Sequence, residues 1–126
     1  MIPYGLQWID EEDKEEVMKV LSSDWLTTGP KVGEFEDALC KYVGCKYSVA
    51  VNSGTNALDI AVGALDIPEG SEVITTPFTF AATSNSLLYN RLNPVFADIQ
   101  KDTQNIDPED IRRKITPKTK AIVYVD

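Results

Sequence analysis

The stretch Val49-Ala50-Val51-Asn52-Ser53-Gly54-Thr55-Asn56-Ala57-Leu58 narrows the folds open to this chain more than any other. A short β-branched run enters a tight polar turn, and the turn opens into an apolar-periodic segment that reads as a helix. Such a strand–turn–helix junction aims free backbone N–H groups and the positive end of the helix dipole at one point, which suits a phosphate. Gly54 lets the backbone come close to an anion, and Ser53 and Thr55 add hydroxyl donors at the same place. An ordinary N-capped turn fits the same residues.

The texture on either side decides the fold class. Asp10 can cap a helix running to about Ser22, with Val17, Val20 and Leu21 on one face. A loop follows through Trp25-Leu26-Thr27-Thr28-Gly29-Pro30. A second amphipathic helix places Val32, Phe35, Leu39 and Val43 at helical spacing and stops at Gly44. From there strands alternate with helices. Strands are expected at residues 47–51, 72–76, 94–97 and 121–125, and helices at 55–65, at about 81–89, and from Asp107-Pro108 to Thr116-Pro117. This alternation predicts an α/β fold with three α/β/α layers and a mainly parallel sheet covered on both faces. The division expected is a helical segment with a loop over residues 1–46, then α/β structure over 47–126. A last strand of buried type with nothing after it reads as the front part of a longer protein.

Charge and composition exclude several function classes. At 126 residues there is room for one domain with a real core. A net charge of −8 with scattered basic residues argues against a nucleic-acid partner. The acidic run Asp10-Glu11-Glu12-Asp13 reads as the solvated first turn of a helix. No apolar run approaches a membrane span, and the start lacks the marks of a signal peptide, so the expected setting is the cytoplasm. Cys40 and Cys45 have no second pair to complete a metal site and read as free thiols in a reducing compartment. The absence of histidine excludes a Ser-His-Asp or Cys-His mechanism within this chain, and any His-ligated zinc.

Ligands of open parallel sheets bind outside the carboxyl ends of the strands. Three such places stand out: the turn Asn52-Ser53-Gly54-Thr55, the segment Thr76-Pro77-Phe78-Thr79-Phe80, and Asp126 at the end of the last strand. Aromatic rings just after a strand can stack on a planar ligand. They can equally plug the end of the sheet beneath a neighbouring helix. Asp98, at another strand end, reads as the cap of its turn. Neither of the glycine-rich signatures for dinucleotides or nucleoside triphosphates occurs.

Three blocks taken together resemble one family. Trp25-Leu26-Thr27-Thr28-Gly29-Pro30, Val51-Asn52-Ser53-Gly54-Thr55-Asn56-Ala57-Leu58 and Gly70-Ser71-Glu72-Val73-Ile74-Thr75-Thr76-Pro77-Phe78-Thr79-Phe80 resemble the DegT/DnrJ/EryC1/StrS family of pyridoxal-phosphate-dependent nucleotide-sugar aminotransferases, of fold type I. The likeness continues through Ile115-Thr116-Pro117-Lys118-Thr119-Lys120-Ala121-Ile122 and corresponds to the N-terminal third of a member. It implies that Gly54 and Thr55, with Ser53 beside them, hold the phosphate of pyridoxal 5'-phosphate. It also implies that Phe80 stacks on the pyridine ring, and that Thr27 and Thr28 help to shape the sugar-nucleotide pocket. No lysine of the chain stands in the family's Schiff-base context. That lysine and the carboxylate facing the pyridine nitrogen are expected beyond residue 126, so these residues alone are expected to be inactive.

The activity implied is transfer of an amino group from an amino-acid donor, typically glutamate, to a keto-sugar nucleotide in polysaccharide or amino-sugar biosynthesis, by a homodimer. Alternatives are a sugar dehydratase of the same family, in which histidine replaces the Schiff-base lysine, a non-catalytic regulatory relative, and a doubly wound binding domain without pyridoxal phosphate.

Overall fold

The computed structural model describes residues 2–3 and 5–125. It divides into two compact units, Met1–Ala50 and Val51–Asp126. Among the described residues no helix is long and apolar enough to cross a membrane.

The first unit carries two helices. α1 (Glu11–Leu21) begins at Asp10, whose carboxylate accepts from the Asp13 N–H at 3.0 Å while the Asp13 carboxylate accepts from the Asp10 N–H at 3.1 Å. This reciprocal box satisfies two N–H groups that the helix itself cannot. Glu11, Glu12 and Asp13 place negative charge where the dipole favours it. α2 (Pro30–Val43) has Pro30 in its first turn and ends at Gly44, whose φ of 73° is left-handed. Gly29 is needed for close approach, since a Cβ there would lie 2.8 Å from that of Trp25. The apolar stripe expected on α1 stays open, with Val17 and Leu21 exposed and Val20 half-buried.

The expected strand at 47–51 does not form. The Ala50 N–H donates to Glu36 Oε1 at 2.8 Å, and the Ser48 hydroxyl donates to the Glu36 carbonyl at 2.9 Å. A backbone N–H already spent on a side chain of α2 is lost to a ladder, and no strand pairs with this segment among the described residues.

The second unit is α/β. α3 (Gly54–Gly63) precedes β1 (Glu72–Thr75), α4 (Ala82–Tyr89), β2 (Asn93–Phe96), α5 (Pro108–Lys114) and β3 (Thr119–Val123). The three strands pair in parallel, in the order β2-β1-β3. The chain leaves central β1 through α4 to reach β2, then returns through α5 to β3 on the other side. Elements expected from the sequence are present here, with ends shifted by one or two residues. Val73, Ile74 and Thr75 of β1 are each fully buried although they alternate between faces, so this strand is covered on both. One face packs Val73 with Val62, Leu87 and Leu92, joined by Ile67, Ala121 and Val123.

Asn90, at the end of α4, fixes how α3 and α4 lie. Its Nδ2 donates to Asp59 Oδ1 at 2.7 Å, to the Asp59 carbonyl at 3.2 Å and to the Ser86 carbonyl at 2.8 Å. Its Oδ1 also lies 3.0 Å from where a Cβ of Gly63 would stand. The later halves of the two helices therefore adjoin. Since α4 starts from the carboxyl end of β1, its N-terminus lies at the carboxyl edge of the sheet.

Candidate functional site

Two of the places singled out from the sequence are the start of α3 and the turn from β1 into α4. Ser53, in extended conformation, caps α3: its hydroxyl oxygen accepts from the Asn56 N–H at 3.2 Å, and its carbonyl accepts from Ala57 at 3.0 Å. Asn52 braces the turn by accepting from Asn56 Nδ2 at 2.5 Å. The capped turn foreseen as an ordinary alternative is thus present, and Ser53 is engaged in it. Two donors remain. The N–H groups of Gly54 and Thr55 have no acceptor among the described residues, and the Thr55 hydroxyl is likewise unengaged and exposed. A Cβ on Gly54 would meet no atom within 4 Å, and its φ is not left-handed. Nothing in the chain itself therefore requires glycine at 54. A side chain there would meet only open space at the start of α3.

The aromatic segment lies one connection away. The Phe78 N–H donates to Thr76 Oγ1 at 3.2 Å, and the Phe80 carbonyl accepts from Thr83 at 3.0 Å, closing the turn into α4. Thr79 and Thr83 hydroxyls pair at 3.0 Å behind it. The Phe78 and Phe80 rings are 58% and 77% exposed, so neither is a plug beneath a helix. An open ring at this edge is free to stack on a flat ligand.

Sequence reasoning missed the loop between β2 and α5. Thr103, Gln104, Asn105 and Ile106 join Thr76, Phe78 and Val125 around a cleft of about 200 Å³. The loop is closed by the antiparallel bridge Ile99–Ile106 and by a left-handed Gln104 with φ of 62°. Its anchor is Asp110, which is buried and accepts from the Asp98 N–H at 2.6 Å, from Lys114 at 2.8 Å and from Arg113 at 3.0 Å. The Lys114 ammonium foremost, with the Asp98 N–H, pulls the Asp110 carboxyl down to a pKa of about 2. Asp98 itself turns its Oδ1 to the Ile99 N–H at 2.8 Å, the capping role expected of it. The alternation of Asp, Thr and Asn over residues 98–107 was the available signal for this turn. Asp126 lies outside the described residues.

Thr27 and Thr28 belong to the first unit. Both are exposed. Thr27 lines a cavity of about 250 Å³ between α1 and α2, with Trp25, Ser23, Lys19 and Lys31, and Thr28 does not. Lys31 bridges Glu16 and Glu34 across its rim at 3.2 and 2.8 Å. No group of three or more potential metal ligands gathers among the described residues.

Residues 7–126 match the DegT/DnrJ/EryC1/StrS aminotransferase family. The chain belongs to this family. It is 48% identical to the spore coat polysaccharide biosynthesis protein SpsC of Bacillus subtilis over 98% of its own length and 32% of that protein. Among solved structures, the Helicobacter pylori aminotransferase PseC, involved in pseudoaminic acid biosynthesis, superposes with a TM-score of 0.92 at 41% identity, over 98% of this chain and 34% of that one. The Escherichia coli GDP-4-keto-6-deoxy-D-mannose-3-dehydratase with bound hydrated pyridoxal phosphate gives 0.91 at 30% identity, over 97% and 33%. The chain thus spans about a third of the length of each of these relatives. Its α/β architecture is that of the fold type I pyridoxal-phosphate transferases.

Proposed function

We propose that the protein carrying these residues is a pyridoxal-phosphate-dependent aminotransferase that moves an amino group from an amino acid, glutamate, to a keto-sugar nucleotide. Its products feed polysaccharide or amino-sugar biosynthesis in the cytoplasm. The observations that carry this reading are two N–H groups at Gly54–Thr55 without an acceptor among the described residues, at the start of α3, and an open aromatic ring at Phe80, just past the carboxyl end of β1. A phosphate and a flat heterocycle are what those two features accept.

Pyridoxal phosphate, when bound, supplies the electron sink for amino-group chemistry. The chain's own residues bind and orient it. Gly54 and Thr55 donate their N–H groups, and Thr55 its hydroxyl, to the phosphate at the positive end of α3. Ser53 keeps that turn in shape through its cap and stands next to the anion. Phe80 sets the tilt of the ring by stacking. Thr27 and Thr28 shape the sugar-nucleotide pocket. In this division residues 1–46 form the substrate-side helical segment, and 47–126 the first part of the cofactor domain. Residues 1–126 alone are expected to show no turnover, because no lysine among them is assigned the covalent role.

The likeness to a 3-dehydratase supports a second reading in the same family, but identities of 48% and 41% to SpsC and the aminotransferase PseC favour amino transfer. Incubating the whole protein with pyridoxal phosphate, glutamate and keto-sugar nucleotides separates the two. An amino sugar is expected, and a deoxy sugar with no nitrogen incorporated would overturn the assignment.

The working assembly is a homodimer. Support comes from Trp25 and Leu26, which are 59% and 65% exposed in a loop where apolar side chains find little cover. Sedimentation of the whole protein at micromolar concentration should show a dimer, and Trp25→Ala with Leu26→Ala should loosen it and lower activity. A fully active monomer would refute the assembly.

A further inference from the structure

The C-terminal cap of α2 brings two thiols together, and neither takes part in the site described above. Beyond Val43 the chain reverses at left-handed Gly44, and both the Gly44 N–H (2.9 Å) and the Cys45 N–H (3.1 Å) donate to the carbonyl of Cys40. In a helix end of this kind, the residue after the left-handed glycine folds back over the last turn. Its side chain meets that of the residue whose carbonyl it bonds. Here those two positions are Cys45 and Cys40. A direct backbone hydrogen bond between them holds the two residues side by side, the close approach that a disulfide needs. Both cysteines are free, Cys45 exposed and Cys40 half-buried behind it.

We propose that Cys40 and Cys45 form a reversible dithiol–disulfide site on the cap of α2, oxidised by low-molecular-weight disulfides. Cys45, the accessible partner, attacks one sulfur of the oxidant. The oxidant's S–S bond breaks, one of its halves leaves as a thiol, and the other stays on Cys45 as a mixed disulfide. Cys40 then displaces that half as a second thiol and closes the protein disulfide. Two electrons pass to the oxidant, and the two cysteine protons end on the released thiols.

The local chemistry sets the tempo. The Cys45 thiol donates to the Tyr47 carbonyl at 3.2 Å. Desolvation, and next the neighbouring Cys40 thiol, raise its pKa above the ordinary thiol value, so exchange should be slow at neutral pH and quicken as pH rises. Oxidation removes the Tyr47 contact. It also ties the last turn of α2 to the segment that Glu36 holds through Ser48 and Ala50.

The test uses the whole protein and oxidised glutathione, with mass spectrometry after alkylation. The reduced chain should lose both thiols together, at a mass two hydrogens lower and with Cys40 linked to Cys45. Cys40→Ser should instead stop at the mixed disulfide on Cys45, and dithiothreitol should restore the reduced form in each case. A wild-type protein that accumulates the mixed disulfide, or links to a second copy through Cys45, would overturn the proposal. Unchanged far-ultraviolet dichroism of Cys40→Ser excludes misfolding as the cause of its result.

Discussion

Removing one hydroxyl from the turn at the start of α3 tests the cofactor assignment most directly. Thr55→Val keeps the β-branched shape and the backbone N–H groups, and deletes only a donor. In the structure that donor is exposed and satisfies nothing else, while the cap of α3 is made by Ser53 and not by Thr55. Helix propensities of threonine and valine are close. Stability should therefore change by no more than about 0.5 kcal/mol. A hydrogen bond from a hydroxyl to a phosphate dianion is charge-assisted and contributes about 1.5–3 kcal/mol. The dissociation constant of pyridoxal phosphate should accordingly rise by about one to two orders of magnitude. Absorbance titration of the apoprotein reads that constant, and a urea melt of the same sample reads the fold. Ser53→Ala provides the contrast, because loss of a helix cap costs about 1 kcal/mol of stability. Cofactor affinity that is unchanged in Thr55→Val, in a protein that melts like the parent, would refute the phosphate assignment.

Other perturbations follow from the same geometry. Phe80→Leu keeps an apolar side chain but removes the flat face, so cofactor affinity should fall and its absorbance band shift while the melting curve holds; the opposite pattern would mean that Phe80 serves packing. The Thr75 hydroxyl is fully buried without a partner among the described residues, and Thr75→Val should therefore stabilise the fold by about 1 kcal/mol, read as a higher urea midpoint. A lower midpoint would show that the hydroxyl is satisfied. Asp110, with its pKa drawn from the usual 3.8 to about 2, favours the folded state in its ionised form. That stability is fully present above the unfolded value and is lost as pH falls through the folded one, so urea midpoints should drop from about pH 5 to about pH 2, and Asp110→Asn should flatten the drop.

What lies within a turn or two of the chain was legible from the residues alone. Asp10 caps α1, Gly44 ends α2 and Asp107 with Pro108 starts α5, because each of these is a contract among neighbours two to four positions apart. The alternation of valine-rich runs with helical segments announced a parallel sheet, and Ser53 announced the cap at the start of α3. Those signals are local too. Strand pairing and burial are not. Residues 47–51 have the composition of a strand, yet Glu36, more than ten positions away, captures the Ala50 N–H. Whether Phe78 and Phe80 plug or face outward depended on where α4 settles against β1, and on Asn90 tying α4 to α3 across 31 residues. The 103–106 loop became part of a cleft only because Asp110 holds Asp98 from α5. A backbone N–H or a carboxylate carries no mark of which distant partner will satisfy it. Tertiary structure chose those partners, by closing the elements around the few apolar side chains, Val62, Val73, Leu87 and Leu92, that could be taken out of water together.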